Sequence, residues 1–230
     1  AGKSTLVKVV AGVGPADAGR IEFEGRQVVI HQPAEATRLG IATVYQDLAL
    51  CDNLDVVANL YLGQEQAKAK VIDEIGMERT AQDLLRELSV KIPTVRIPVA
   101  SLSGGQRQSV AIARSLLGDP KVVILDEPTA ALGVAQTAQV LDLIERLKER
   151  GHAVILISHN LADVLAVCDR IVVLRLGRNG GEFKVGEATQ EEIVAAITGA
   201  ADNIVAQRAA RHAGTPAASE QTGSDEEPAR

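Results

Sequence analysis

Short apolar runs alternate with amphipathic stretches along most of this chain. Residues 41–44, 122–125, 153–157 and 171–174 are runs of this kind, and most of their members are branched. Such short runs predict strands that are covered on both faces, as in a parallel sheet. Between them, apolar residues recur at helical spacing, for example at Val140, Leu143, Ile144 and Leu147. The pattern predicts an α/β fold with a mostly parallel, doubly wound sheet.

Two segments depart from this alternation. Residues 21–30 alternate around Glu24-Gly25-Arg26, which predicts a small antiparallel hairpin outside the parallel sheet. Residues 48 to about 100 are expected to be mostly helical, with a strong amphipathic helix marked by Ala81, Leu84, Leu85 and Leu88. We therefore expect a helical lobe, about 48–118, inserted into the α/β domain.

The two ends of the chain differ from its middle. The domain is predicted to cover residues 1–198, and residues 193–197 suit a last helix. The remainder, 199–230, is expected to be a disordered tail, because it becomes rich in small and polar residues and loses its apolar period. At the other end, the chain opens abruptly on Ala1-Gly2-Lys3-Ser4-Thr5, so we expect it to be incomplete there.

Composition argues against nucleic acid as a partner, against a membrane-spanning helix and against a cysteine metal site. The net charge is −6 and aromatic residues make up 2% of the chain, so neither a basic surface nor stacking side chains favour nucleic-acid binding. Apolar runs are all shorter than the roughly 18 residues that a membrane-spanning helix requires. Cys51 and Cys168 lie far apart and have no metal-ligand spacing, so both are expected to be buried small apolar residues in a reducing compartment and not a disulfide or a site.

Two carboxylates follow the apolar run 122–125 directly. Ligands bind parallel sheets at the carboxyl ends of the strands, where Asp126 and Glu127 are expected to lie. Asp126 suits a magnesium ligand, and Glu127 suits a general base that polarises an attacking water.

Residues 103–106 have the features of an anion-binding helix N-terminus. Ser103 can cap the following helix, and the absence of side chains on Gly104 and Gly105 lets backbone N–H groups approach an anion closely. Gln106 completes this turn.

The first residues match the end of the phosphate-loop pattern G-x-x-x-x-G-K-[ST]. In that pattern the backbone N–H groups of Gly2, Lys3, Ser4 and Thr5 surround phosphates at a helix N-terminus. Lys3 would contact the β- and γ-phosphates, and the Ser4 hydroxyl would bind magnesium. After Lys3, a helix is predicted whose apolar face carries Leu6, Val9 and Val10 and which ends at Gly12.

The order of Leu102-Ser103-Gly104-Gly105-Gln106, one helix, and then the strand ending in Asp126-Glu127-Pro128-Thr129 resembles the signature and Walker B motifs of ATP-binding cassette (ABC) proteins. The resemblance implies a Mg²⁺-dependent ATPase. It also implies that Gln46 reaches the metal and the attacking water, and that His159 is the switch histidine that contacts the γ-phosphate.

In the family, one cassette does not complete its own site. The resemblance therefore implies a head-to-tail homodimer, in which residues 103–106 cover the ATP held by the opposite cassette. One position departs from the family pattern: Gly133 stands where an aspartate usually follows Ala130-Ala131-Leu132.

Further residues resemble the ATPases of bacterial monosaccharide importers of the fructose, ribose and xylose type, in the branch with a single cassette. They include Gly40-Ile41, Tyr45-Gln46-Asp47-Leu48, Asn59 and Leu62-Gly63. This resemblance implies a subunit on the cytoplasmic face of a membrane permease that is served by a sugar-binding protein. The alternatives are an ABC subunit for another substrate, a soluble cassette of DNA repair, chromosome maintenance or translation, and a non-catalytic regulatory cassette.

Overall fold

A computed structural model describes residues 2–68 and 70–200 of the chain. The helices are α1 (Lys3–Val10), α2 (Pro33–Leu39), α3 (Val56–Tyr61), α4 (Glu74–Glu87), α5 (Gly104–Leu116), α6 (Val134–Glu149), α7 (Leu161–Val167) and α8 (Gln190–Thr198). The strands are β1 (Ile21–Phe23), β2 (Arg26–Val28), β3 (Ile41–Val44), β4 (Ala67–Lys68), β5 (Val71–Ile72), β6 (Val122–Asp126), β7 (Ala153–Ile157), β8 (Arg170–Arg175) and β9 (Arg178–Lys184).

A three-stranded parallel sheet with the order β3-β6-β7 forms the centre of the fold. Strand β6 lies in the middle, and its residues Val123, Ile124 and Leu125 are almost completely buried. In register, Val44 pairs with Leu125, which pairs with Leu156. The predicted α/β fold with a parallel sheet is confirmed, since three of the four apolar runs pair in parallel. Coverage on both faces was predicted for these runs, but Ile155 on β7 is 48% exposed and Val172 on β8 is 46% exposed.

Antiparallel pairs flank this sheet. Strands β1 and β2 form the predicted hairpin. Residues 171–174 were predicted to join the parallel sheet, but within the described residues β8 pairs with β9 in an antiparallel hairpin instead. Leu176 and Gly177 turn the chain with positive φ at both positions, the geometry of a tight hairpin. Strand β9 was not predicted, because its sequence RNGGEFK shows little apolar period.

The segment 48–100 is less helical than its apolar spacing predicted. Helices α3 and α4 are joined by the short β4–β5 pair and by irregular chain. Buried Asn59 explains part of the irregular structure: its Nδ2 donates to the carbonyls of Cys51, Leu54 and Asp55, and its Oδ1 accepts from the Cys51 N–H. A side-chain amide thus satisfies backbone groups that a helix would have paired. The extent of the lobe, about 48–118, stays a prediction.

Helix α1 faces the core differently from the prediction. Leu6 was expected on its packed face but is 55% exposed, whereas Val7 is buried. Val7 packs with Ile30, Ile124 and Ile157, so the neighbouring hairpin and sheet select the buried face. The helix ends at Val10, just before Gly12, as the sequence predicted.

The buried residues form three hydrophobic clusters. The largest joins helices α3 to α6 to one face of the sheet, a second lies under α1, and a third lies between α8 and the β8–β9 hairpin. Among residues 2–68 and 70–200, the helices are too short or too polar to cross a bilayer. The predicted disordered tail lies outside the described residues from 201 onward.

Truncating Leu147 should test how much the largest cluster contributes to stability. Leu147 on α6 is fully buried in that cluster, so Leu147→Ala should lower the free energy of unfolding by about 2–5 kcal/mol through lost burial and a residual cavity. Urea unfolding monitored by circular dichroism would measure it. Val134→Ala on the same helix is the control, since Val134 is 91% exposed and should change stability little. Equal losses in the two variants would contradict the assigned packing.

Candidate functional site

The carboxyl ends of strands β6 and β7 meet at one edge of the central sheet. Asp126 pairs in register with Ile157, and the Glu127 N–H donates to the Ile157 carbonyl at 2.8 Å. Glu127 then adopts a positive φ of 52°. This combination turns the chain sharply out of the sheet and places the Glu127 side chain beside the residues that follow β7.

Glu127 is the centre of a cluster of three side chains. One of its carboxylate oxygens, Oε1, lies 3.6 Å from Lys3 Nζ, and the other, Oε2, lies 2.6 Å from His159 Nδ1. The His159 backbone N–H donates to Oε2 at 3.3 Å. An ionised carboxylate only accepts hydrogen bonds, so Nδ1 carries the imidazole proton in this contact. The side chain of Glu127 is 16% exposed and that of His159 is 75% exposed, so the cluster opens to solvent on the histidine side.

Lys3 reaches this cluster from the start of α1. Gly2 precedes the helix with φ 94°, a left-handed conformation that glycine adopts without strain. Lys3 Nζ also donates to the Ser158 carbonyl at 3.3 Å, so the ammonium group lies between β7 and Glu127. Ser4 and Thr5 are exposed in the first turn, whose N–H groups have no partner within the helix. Such a terminus favours a bound anion.

Asp126 has a perturbed ionisation at the end of β6. Burial raises the pKa of its carboxyl, the negative charge of Glu127 raises that pKa further, and Lys3 acts in the opposite direction. Burial likewise raises the pKa of Tyr45, and the charge of Asp126 adds to that shift. Two neighbouring carboxylates thus place negative charge at this edge, and a cation bound here would favour the ionised form of Asp126.

Gln46 lies near this edge of the sheet. It is exposed two residues beyond the end of β3, the strand that pairs with β6. The structure thus brings Lys3, Glu127 and His159 into contact, with Asp126 beside Glu127, and leaves Gln46 exposed beyond the neighbouring strand.

Residues 103–106 make their contacts elsewhere. Ser103 Oγ accepts from the Gln106 N–H, and Gln106 Oε1 accepts from the Ser103 N–H, which forms a capping box at the start of α5. Gln106 Nε2 also donates to the Lys91 carbonyl at 2.8 Å.

A Cβ atom on Gly104 would come within 3.1 Å of Leu132, and one on Gly105 within 3.1 Å of Gln136. The two glycines thus allow the start of α5 to pack closely against the start of α6.

Two polar features near the site were not predicted from the sequence. Asp163 on α7 is buried and accepts hydrogen bonds from Thr129 and Asn160. Arg114 on α5 donates to the carbonyls of Leu48 and Ala49, shortly after Gln46. The sequence did contain a signal for Asp163, since it is the acidic residue inside the otherwise apolar helix sequence LADVLAV. Arg114 resembled an ordinary surface arginine.

The cluster can bind and polarise small anionic groups. A phosphate at the α1 N-terminus would compete with Glu127 for Lys3 and free the carboxylate to accept a proton. Within residues 2–68 and 70–200, His, Cys, Asp and Glu side chains do not gather in threes that could hold a metal. Mg²⁺ accepts oxygen ligands from hydroxyl, carboxylate and amide groups together with those of a phosphate.

Known proteins share this sequence and fold. A family model described as ABC transporter matches residues 1–130. The chain is 40% identical over 198 residues to the xylose/arabinose import ATP-binding protein of Sulfolobus acidocaldarius, with 86% of this chain and 79% of that relative covered. The chain belongs to the ABC transporter family. It therefore has an ATP-binding, ATP-hydrolysing cassette fold, as the motifs predicted.

Two further comparisons agree with this assignment. The chain is 42% identical over 208 residues to the fructose import ATP-binding protein of Rhizobium meliloti, with 87% of this chain and 80% of that relative covered. The crystal structure of the ADP conformation of an ATP-binding cassette of an ABC transporter matches with a TM-score of 0.71. Its sequence is 28% identical, and the match covers 86% of this chain and 80% of that one.

The ionisation of Asp126 in this ABC cassette predicts a pH-dependent stability. Because its pKa is raised on folding, the folded chain keeps a proton that the unfolded chain releases at about pH 3.9. The stability that this group contributes is thus highest below that pH and falls as the pH rises through the folded-state pKa.

Asp126→Asn should remove this loss of stability and raise the melting temperature at pH 7 without nucleotide. Melting curves from pH 3.5 to 7 would test it, with Asp142→Asn on α6 as the control. Parallel curves for Asp126→Asn and wild type would refute it.

The departure at Gly133 allows a second prediction. Gly133 is the N-cap of α6 with φ −75° and ψ 165°, and no described atom lies within 4 Å of the place a Cβ would take. An aspartate there could accept from the Gln136 N–H, so Gly133→Asp should raise the free energy of unfolding by about 0.3–1 kcal/mol. Chemical denaturation would measure this, and Gly133→Ala, which cannot cap, should instead lower stability. Destabilisation by the aspartate would show that the cap does not form.

Proposed function

We propose that this chain is the ATP-hydrolysing subunit that energises the import of a monosaccharide through a membrane permease. The observation that carries the proposal is the convergence of Lys3, Glu127 and His159 on one point at the edge of the sheet. A cation, a carboxylate and an imidazole together supply what phosphoryl transfer to water needs: charge neutralisation, a base and a positioning contact. The names of the xylose/arabinose and fructose import relatives support the class of substrate.

Lys3 and the start of α1 are the proposed phosphate-binding elements. Lys3 would leave Glu127 and contact the β- and γ-phosphates of ATP, while the N–H groups of Gly2, Lys3, Ser4 and Thr5 donate to phosphate oxygens. The 3.6 Å separation from Glu127 supports this exchange, because a contact of that length is a weak ion pair.

Mg²⁺ is the proposed metal, held by Ser4, Asp126 and Gln46 together with ATP. The residues fit this ion, because they offer a hydroxyl, a carboxylate and an amide oxygen. Burial and the charge of Glu127 raise the pKa of Asp126, and a bound cation would favour its ionised form. When bound, Mg²⁺ would neutralise charge on the phosphates.

Glu127 is the proposed general base, and His159 its proposed partner at the γ-phosphate. Glu127 Oε2 accepts from His159 Nδ1 at 2.6 Å. With ATP present, His159 would turn its exposed ring toward the γ-phosphate, and the freed carboxylate oxygen would accept a proton from the attacking water.

Ser103, Gly104, Gly105 and Gln106 are proposed to act on the ATP of a second cassette. Their contacts in this chain are with α6 and Lys91 and lie apart from Glu127, which supports a role toward another molecule. Two chains paired head to tail would place each α5 N-terminus against the phosphates held by its partner. ATP would then join the two halves, and hydrolysis would release them.

The transport role requires further partners. We propose that the dimer binds the cytoplasmic face of permease subunits and that a separate sugar-binding protein delivers the substrate. Nucleic acid is not a proposed partner, because the net charge is −6.

Replacement of Glu127 should separate binding from hydrolysis. In the full-length protein, Glu127→Gln should bind ATP and dimerise but lower kcat by about 10²- to 10⁴-fold, because the amide cannot accept the proton. Phosphate release would measure hydrolysis, and equilibrium binding would measure affinity. Glu182→Gln on strand β9 is a charge-matched control and should hydrolyse ATP normally. Wild-type turnover by Glu127→Gln would exclude Glu127 as the base.

A transport assay tests the sugar assignment with the same variant. Proteoliposomes that contain the permease and the wild-type protein should accumulate radiolabelled fructose, ribose or xylose when ATP is on the side of this subunit. The Glu127→Gln protein should assemble but support no uptake. ATP hydrolysis without uptake of any of these sugars would contradict the proposed substrate class but not the ATPase assignment.

A further inference from the structure

The buried carboxylate of Asp163 connects the two loops that carry Glu127 and His159. Asp163 lies on α7 and is only 6% exposed. Its Oδ2 accepts from Thr129 Oγ1 at 2.6 Å, and its Oδ1 accepts from Asn160 Nδ2 at 2.9 Å. Each carboxylate oxygen therefore has a donor from a different loop.

We infer that Thr129, Asp163 and Asn160 form a positioning bridge that holds Glu127 and His159 at the distance that ATP hydrolysis requires. The inference rests on the proposed function, because it assigns a task within that same reaction. None of the three bridge residues touches the reacting groups. They act by fixing the chain on either side of them.

The order of residues along the chain gives the bridge its effect. Thr129 follows Glu127 by two residues, and Asn160 follows His159 directly. The Glu127–His159 contact joins the two loops on the open side of the site, and the Asp163 contacts join the same loops on the buried side. Two separate connections between the same loops restrict rotation as well as separation.

Asn160 also fixes the end of β7 to α7. Its Oδ1 accepts from the Ala162 N–H at 3.1 Å, and its own N–H donates to Ser158 Oγ at 3.0 Å. Since Asn160 is held at both its side chain and its backbone, the preceding His159 has little freedom in its main chain. Movement of Asp163 would therefore be passed directly to the imidazole.

Glu127 needs such support because of its own backbone. Its φ of 52° is left-handed, a conformation that costs a residue other than glycine free energy unless neighbouring contacts maintain it. The hydrogen bond from its N–H to Ile157 fixes one side of the turn, and the Thr129–Asp163 bond fixes the other. Because Asp163 is buried, water competes little with Thr129 for its carboxylate oxygen, which suits this purpose.

Thr129→Val is the variant that tests the bridge. Valine matches the shape of threonine but cannot donate to Asp163, so the loop that follows Glu127 is released with little change in packing. A shift of about 1 Å at a reacting group costs on the order of 10²-fold in rate, so we expect kcat to fall ten- to hundredfold. The KM for ATP should change less than about twofold, because the bridge does not touch the proposed phosphate-binding residues.

Two further variants serve as controls for Thr129→Val. Thr129→Ser keeps the hydroxyl and should restore most of kcat. Thr189→Val removes the hydroxyl that caps α8, a helix packed on β8 and β9, and it should lower stability without changing kcat. Melting temperatures of all three full-length proteins would show whether any loss of kcat merely follows a loss of stability.

Hydrogen–deuterium exchange provides a readout that needs no activity. Thr129→Val should speed exchange in the peptide covering residues 158–167, and Thr189→Val should not. A normal kcat in Thr129→Val, or unchanged exchange in that peptide, would overturn the bridge while the ATPase assignment stands. A wild-type protein that hydrolyses no ATP would overturn the proposed function, and the exchange result would still decide whether the bridge exists.

Discussion

The parallel pairing of β6 with β7 is the constraint on which the rest of the site depends. It sets Asp126 opposite Ile157, and the Glu127 N–H adds one more hydrogen bond to the Ile157 carbonyl. A shift of this register by one residue would exchange the two faces of β7, so that its inward side chains point outward. It would also separate Glu127 from His159. The register is secured by burial, since Ile124 and Leu125 are almost inaccessible to solvent.

The same burial brings the beginning of the chain to the end of β7. Val7 packs with Ile124 and Ile157, so α1 is held across the sheet with its N-terminus at the carboxyl ends of the strands. Lys3 can therefore reach the Ser158 carbonyl although 155 residues separate the two. Apolar packing on one side of α1 thus determines where its positive charge acts.

Helix α5 connects parts of the molecule that the central sheet does not join. Its N-terminus is capped by Ser103, and near its C-terminus Arg114 donates to the Leu48 and Ala49 carbonyls. Burial lowers the pKa of Arg114. The segment that follows Gln46 is therefore attached to the helix that begins with Gly104 and Gly105, so a rotation of this helix would move both of its ends together.

The sequence alone determined the fold class and predicted the residues that meet at the sheet edge, because both depend on local pattern. Short apolar runs predict the strands of a sheet, and charged residues directly after such runs are expected at the carboxyl edge of that sheet. Sequence pattern could not decide the buried face of α1, the pairing of β8 with β9, or the role of Asn59 in the irregular segment. These depend on partners distant in the chain. The Thr129–Asp163–Asn160 bridge has the same origin: each residue is ordinary by itself, and only the packing of α7 beside the end of β6 brings their polar atoms into contact.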